Sequence, residues 1–373
     1  LGKATSDFSN WSPDGLSWSS AKGRYPLPNI SENVDAGIQA IPDEIWNEIY
    51  DAAAISVSDP IVEKAYYVSA DGSDSNDGLS VDNAFKTLDK AITSANSSDS
   101  KTVYVIGTYA GEEASYSATY ISSDVGSEGN PVVICGYPDS NPTLSQPSGS
   151  GRRVMYIYPD TKAYITLKNL TITGGNASQS GAGIYVTKTN LTIDNCIISN
   201  NTSTSTFTFK GQTITSNGIE ISSNSNVNIV NSNISDNIKI SDSSSSPSIL
   251  SIGEGCNISE NIYITSDASS IEIGDSAELT GSICVAGSSS GTNIPSPAIK
   301  IKSSLSNYSD SNQITIIYED YEYALSQNKQ VIALSDDSSG VTLSDEIAKF
   351  KLDDSNYVIN SEGYIKSFGG GGG

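Results

Sequence analysis

From Ile165 onward the chain writes one strand pattern several times. ITLKNLTITGG, starting at Ile165, aligns without gaps on LTIDNCIISNN, which starts 26 residues later at Leu191. VNIVNSNISDN follows at Val227, 36 residues further on. Its end, NISDNIKI from Asn233, recurs after 24 residues as NISENIYI from Asn257, and Ile252-Gly253 recurs after 21 as Ile273-Gly274, with Ile258 matched by Leu279. Within each copy apolar and polar residues alternate, which places Leu191 and Ile193, then Val227 and Ile229, on one face of a strand. Units this short cannot bury that face alone and must stack.

Repeats of this length without helical periodicity predict an all-β fold, a parallel β-helix (solenoid) in which each coil bonds to the next at about 4.8 Å. The leucine-rich frame L-x-x-L-x-L is missing, and a propeller blade would need about 40 residues. From Lys101 the spacing gives about ten or eleven coils, a rod on the order of 50 Å long. Two asparagine columns support the register: Asn169, Asn195 and Asn231, then Asn201, Asn237 and Asn261. Asparagine suits tight corners, and its amides are expected to bond along the stack. The longest interval contains TSTSTFTFKGQTIT, residues 202–215, which is expected to leave the rod as a loop or hairpin.

Outside the repeats, residues 1–40 carry turn chemistry and predict an extended arm. Residues 42–54, PDEIWNEIYDAAA, predict a helix, with Pro42 at its start and Ile45, Ile49 and Ala53 on one face. Residues 66–69 predict a strand, 71–78 a turn-rich loop, and 84–95 a second helix presenting Ala84, Leu88, Ala91, Ile92 and Ala95. Residues 101–106 return as a strand, and 349–352 and 357–368 read as strands with a turn at 360–363. The expected organisation is an N-terminal arm and helical cap (1–60), the β-helix (61–305), a β-rich C-terminal cap (306–368) and a glycine tail (369–373). A solenoid exposes a raw strand edge at each end, and caps prevent edge-to-edge growth. Trp11, Trp18 and Trp46 all lie in the N-terminal part. Aromatics concentrated there often anchor an arm, which is expected either to fold back onto its own cap or to dock on a neighbouring rod, linking copies head to tail.

Tyr66 to Ala95, with GSDSNDG followed by AFKTLDKAI, resembles the entry of right-handed parallel β-helix proteins of the pectin-lyase-like superfamily. GAGIYVTKTNLTIDNCIISNN, from Gly181, resembles the repeat of polymorphic outer membrane proteins, whose Gly-Gly-x-Ile element appears here as Gly181-Ala182-Gly183-Ile184. KFKLDDSNYVINSEGYIKSF is similar to the closing segment of such surface proteins. The resemblance spans about Tyr66 to Phe368 and implies a right-handed β-helix. It does not select a function, because the superfamily hosts lyases, hydrolases, adhesins and plain rods.

Composition removes much of the remaining chemistry. The chain has no histidine, so the Gly-His-Gly element of polygalacturonases, histidine-based triads and histidine-ligated zinc are excluded. Cys135, Cys196, Cys256 and Cys284 form no CxxC pair and read as small residues stacked in the core. A formal charge of −23 opposes nucleic acid and anionic membranes as partners. It would also repel a polyuronate unless calcium bridged the two. No run of 18 apolar residues exists, so no membrane insertion is expected. The Ser/Thr/Asn-rich, acidic surface suits a secreted or surface-displayed bacterial protein, and Leu1 in place of Met fits either a removed signal peptide or trimming.

The candidate chemistry that survives is sparse. Pectate lyases use an arginine base, and the chain has only Arg24, Arg152 and Arg153. Arg152-Arg153 opens a strand expected over 154–158 and reads as surface charge at a strand edge. A glycosidase needs two facing carboxylates about 5–10 Å apart. Asp194, Glu220, Asp236, Glu254 and Glu260 are the candidates, with Asp194 and Glu220 expected to point outward and to share a face. Asp71, Asp74, Asn76 and Asp77 miss the EF-hand frame by one residue and read as a structural turn. No catalytic, cofactor-binding or metal-ligating residue is therefore assigned. The sequence predicts a non-catalytic extracellular rod, adhesin or fibre or layer subunit, self-associating or binding a glycan or a cell-surface ligand. The alternative is a polysaccharide lyase or glycoside hydrolase acting on extracellular glycans.

Overall fold

Alternating strands joined by short turns wind into stacked coils, so each strand's hydrogen-bonding partner lies one whole coil away. The computed structural model describes residues 65–111, 117–146, 149–242, 246–274, 276–287, 294–338 and 340–368. The arm, the helix expected over 42–54, the three tryptophans and the glycine tail lie outside the described residues. Among the described residues three all-parallel sheets dominate. Sheet 1 has ten strands, from Ala65–Ser69 to Ile332–Leu334; sheet 2 has seven, from Thr108–Tyr109 to Glu278–Leu279; sheet 3 has nine, from Ser117–Ile121 to Phe350–Leu352. The chain is an all-β parallel β-helix. From Lys101 on, sheet 1 contributes nine strands, fewer than the ten or eleven coils expected, because several coils run to more than 30 residues (Val132 pairs with Ile165, and Ile299 with Ile332).

The repeat offsets are the strand register. Leu191 pairs with Ile165 and Val227, Asn233 with Asn257, Ile252 with Ile273, and Ile258 with Leu279. Inward columns are therefore aliphatic from coil to coil: Leu167, Ile193, Ile229, Ile252, Ile273 and Ile301 stack in one core, each at most 1% exposed. Stacking like on like keeps every apolar face dry without needing a large protein diameter.

The corner from sheet 1 to sheet 2 bends at Asn169, Asn195 and Asn231, with φ of 54°, 52° and 51°. Asparagine tolerates this left-handed conformation better than other chiral residues. Asn195 Nδ2 donates to Asn169 Oδ1 at 2.8 Å, as a ladder requires, but Asn231 Nδ2 turns to Asp194 Oδ1 at 3.1 Å. The second column works differently from the expectation. Asn201, Asn237 and Asn261 each accept a backbone N–H, from Gly175, Asn217 and Ser282, so their amides pin neighbouring turns and do not pair with each other.

At the first coil, helix α1 (Leu88–Asn96) buries Leu88, Ala91, Ile92 and Ala95. It starts four residues later than expected. Phe85 N–H donates to Tyr67 O and its carbonyl accepts from Ser69, which holds 84–86 extended along the edge of the first strand. The Asp74 carboxylate accepts from Lys86 N, Thr87 N and the Thr87 hydroxyl, and Thr87 caps α1. The acidic loop 71–78 thus spends Asp74 on the helix entry, and Asp77 accepts from Leu79 N.

At the other end, Phe350–Leu352 continues sheet 3 beside Ile314–Tyr318, so the ladders run past residue 305, where the cap was expected to begin. Tyr357–Ile359 and Ile365–Ser367 form an antiparallel hairpin whose Gly363 carbonyl accepts from Val331 and Ile332, covering the last strand of sheet 1. The Tyr308 hydroxyl hydrogen-bonds the N–H and carbonyl of Leu279 at the end of sheet 2. Each of these contacts occupies backbone groups that would otherwise template another chain.

All four thiols are free and buried, but only Cys196 and Cys256 belong to the main core, in one column separated by Ser232. Cys135 lies on the outer face of sheet 1 opposite Lys168, and Cys284 on the outer face of sheet 3. The expectation that all four stack inside fails for these two. Burial pushes Cys196 and Cys284 up to about 12. At neutral pH the thiolate is then vanishingly scarce as well as inaccessible. The folded protein is expected to leave all four thiols unlabelled by a disulfide-exchange reagent at pH 8, and to release all four after denaturation; fast native labelling of Cys196 would contradict the packing.

Candidate functional site

The outer face of sheet 3 divides into an open half and a covered half. Its central outward column, read across successive coils, is Tyr120, Tyr156, Tyr185, Glu220, Lys239, Tyr263 and Cys284. The last members are covered by the insertion between sheets 2 and 3. There Thr206–Phe209 and Gln212–Thr215 form the expected hairpin, closed by Lys210 and Gly211 with φ of 48° and 74°. These positive values are what a two-residue hairpin turn demands. Phe207 and Phe209 meet the Tyr263 ring edge-on at 5.0 and 5.6 Å, and together with Ile214 they bury Cys284. Lys210 ties the hairpin tip to Asp353 at 3.0 Å.

Among the described residues the hairpin does not reach the first members. Tyr120 stacks on Tyr156 with ring centroids 5.2 Å apart and planes 14° apart; Tyr156 meets Tyr158 at 5.8 Å and Tyr185 at 5.3 Å. Tyr120 is 37% exposed and Tyr158 45%, with Tyr156 and Tyr185 half-buried. Four rings therefore form a continuous aromatic cluster over three adjacent strands, with Tyr120 and Tyr158 its exposed members. Burial raises the Tyr156 and Tyr185 hydroxyls above the ordinary range, so both are neutral donors at physiological pH.

Two charged side chains flank the rings. The Arg153 guanidinium lies over Tyr156 and Tyr185, 4.8 and 4.6 Å from their centroids, and its Nε donates to Ser180 O at 2.8 Å. Desolvation lowers its pKa. Arg153 is 91% buried, so the expectation of a surface charge at a strand edge is wrong for this residue. Glu220 closes the open half: it accepts from Lys239 Nζ at 3.1 Å, from the Ser216 hydroxyl at 2.8 Å and from the Ser241 hydroxyl. Gly181 admits this arrangement. It has φ of +70°, and a Cβ there would sit 2.8 Å from Glu220 Cβ.

No family model matches this chain, and no curated protein matches it. The site must be read from its own geometry.

The candidate carboxylates do not gather. Asp194 is on the outer face of sheet 1, ion-paired with Lys168 at 3.1 Å, whereas Glu220 is on sheet 3, so the shared face expected for them does not exist. Asp236 is buried, accepting from Asn201 N and Nδ2 at 3.2 and 2.7 Å, and Glu254 and Glu260 are exposed in turns. Sequence reasoning missed the tyrosine surface, although a signal existed. SATYI, RVMYI and IYVT each place a tyrosine on the outward side of a sheet 3 strand. Aligning those three strands with one another would have stacked the rings.

Proposed function

We propose that this chain is a non-catalytic extracellular or surface-displayed rod that binds glycans through Tyr120, Tyr156, Tyr158 and Tyr185. The observation that carries the reading is the run of four tyrosines on a rigid sheet, next to a hairpin that covers the rest of the same face. Tyrosine offers a large rigid apolar face with a polar tip, which matches the C–H and hydroxyl faces of a sugar ring at low entropic cost. Regular stacked coils give solenoids the extended surfaces that bind long ligands. Glu220, Asp194 and Asp236 each hold other groups of the protein in place, which suits scaffolding better than proton transfer. The acidic, Ser/Thr/Asn-rich composition supports an extracellular setting.

The test is to incubate the full-length protein with a panel of neutral and acidic polysaccharides, with and without Ca²⁺, and to follow both retention and the appearance of new chain ends. Retention without new ends is expected. Robust cleavage would favour the lyase or hydrolase alternative, and failure to retain any glycan would remove the binding reading.

A further inference from the structure

Arg153 is an unusual feature of the tyrosine surface. A buried cation is costly unless it is paired. Yet its Nε goes to a backbone carbonyl, and among the described residues no carboxylate forms an ion pair with it. The nearest acid on its ladder, Glu220, is engaged by Lys239, Ser216 and Ser241. The rings of Tyr156 and Tyr185 hold the guanidinium from their faces, and of its nitrogens only Nε has a hydrogen-bond partner among the described residues. A second cation adds to this. Lys188 Nζ sits 5.4 Å from the Tyr158 centroid and donates to the Asp160 carbonyl. On a chain carrying a formal charge of −23, the open half of sheet 3 thus gathers two cations, Arg153 and Lys188, with Glu220 paired to Lys239 and Asp124 close enough to interact with Lys188.

We infer that the saccharide bound on the tyrosines carries an anionic substituent, a carboxylate or a sulfate ester, which Arg153 reads directly with no bridging metal. This rests on the glycan-binding reading and specifies it. Arginine pairs with both groups through two parallel N–H···O bonds, whereas lysine offers only a point charge. Lys188 supplies longer-range attraction, and that part of the affinity is sensitive to salt.

The experiment measures affinity in EDTA, and again with Ca²⁺, for matched pairs: a polyuronate against its carboxyl-reduced form, and a sulfated galactan against its desulfated form. The full-length protein is compared with Arg153→Lys, Arg153→Gln and Lys188→Gln. The acidic member of at least one pair is expected to bind about tenfold tighter or better, and the pair that responds identifies which anion is read. Arg153→Gln is expected to bring the acidic-to-neutral ratio close to one and Arg153→Lys to lower it severalfold. Lys188→Gln is expected to keep the preference at high salt. Because the readout is a ratio within one variant, a modest loss of folded protein does not move it. Equal binding of acidic and neutral forms by the unmodified protein overturns the inference and leaves glycan binding standing. A ratio unchanged in Arg153→Gln overturns it as well. Acidic binding that is present with Ca²⁺ and lost in EDTA overturns the inference in favour of a metal-bridged contact, and binding of neither form with or without Ca²⁺ overturns both readings.

Discussion

Replacing Ile193 with alanine is expected to lower the unfolding free energy by about 2–5 kcal/mol, while Thr192→Ala one residue away changes it by less than about 0.5 kcal/mol. Ile193 is fully buried between Leu167 and Ile229 in the inward column of sheet 1, so truncation leaves a cavity in the core. Thr192 lies between Thr166 and Asn228 on the outer face of the same strand. Chemical denaturation of the two variants measures the contrast. A one-residue shift of register would move every apolar side chain to solvent and reverse the ranking. Large damage from Thr192→Ala with little from Ile193→Ala would therefore contradict the coil alignment itself.

Removing residues 205–215 and closing the gap with a short glycine-serine link is expected to leave the ladders intact but expose Cys284. The hairpin contributes no strand to the three sheets; its aromatic residues lie on the outer face of sheet 3. Without Phe207, Phe209 and Ile214, the thiol loses its cover, and the burial that pushes it up to about 12 is relieved. Its pKa then falls back toward about 8.5, raising the thiolate fraction at pH 8 by roughly three orders of magnitude. Labelling at pH 8 followed by peptide mapping should find Cys284 modified, and Cys196 and Cys256 still protected. Unchanged protection of Cys284 would show that the sheet and not the hairpin buries it. Simultaneous labelling of all three would show that the hairpin holds the coils together.

The sequence makes sheets 1 and 2 legible because their side chains repeat in kind: Leu191 on Val227, Asn233 on Asn257, Ile258 on Leu279. Identical neighbours are what a stacked ladder selects, so similarity along the chain reports contact in space. Tyr120, Tyr156 and Tyr185 repeat in the same way on sheet 3, but beyond them the outward column is hard to read because Tyr185, Glu220, Lys239 and Tyr263 are chemically unlike one another. Their neighbours are loops and a hairpin, whose arrival from elsewhere in the chain no periodicity announces. Arg153 shows the same limit: a charged residue at the start of a strand reads as exposed until Tyr156 and Tyr185 from two coils close over it. The helix boundary near Leu88 was displaced for a related reason. Ala84 and Phe85 fit an amphipathic helix but bond to the exposed edge of the first strand, a partner distant in pattern though near in space. Cys135 and Cys284 read as core residues, yet they sit on outer faces. Spacing fixes the coil and leaves open which side of the strand is covered.

Calorimetric titration of a retained glycan into the full-length protein and into its Tyr156→Ala variant tests most directly whether the four tyrosines are the binding face. Tyr156 touches Tyr120, Tyr158, Tyr185 and Arg153 but points away from the aliphatic core, so the variant is expected to keep its melting midpoint. Its affinity should fall by about tenfold or more, the loss typical of a central aromatic anchor. Equal affinity in a variant that melts with the unmodified protein would place the ligand elsewhere on the rod and contradict the account.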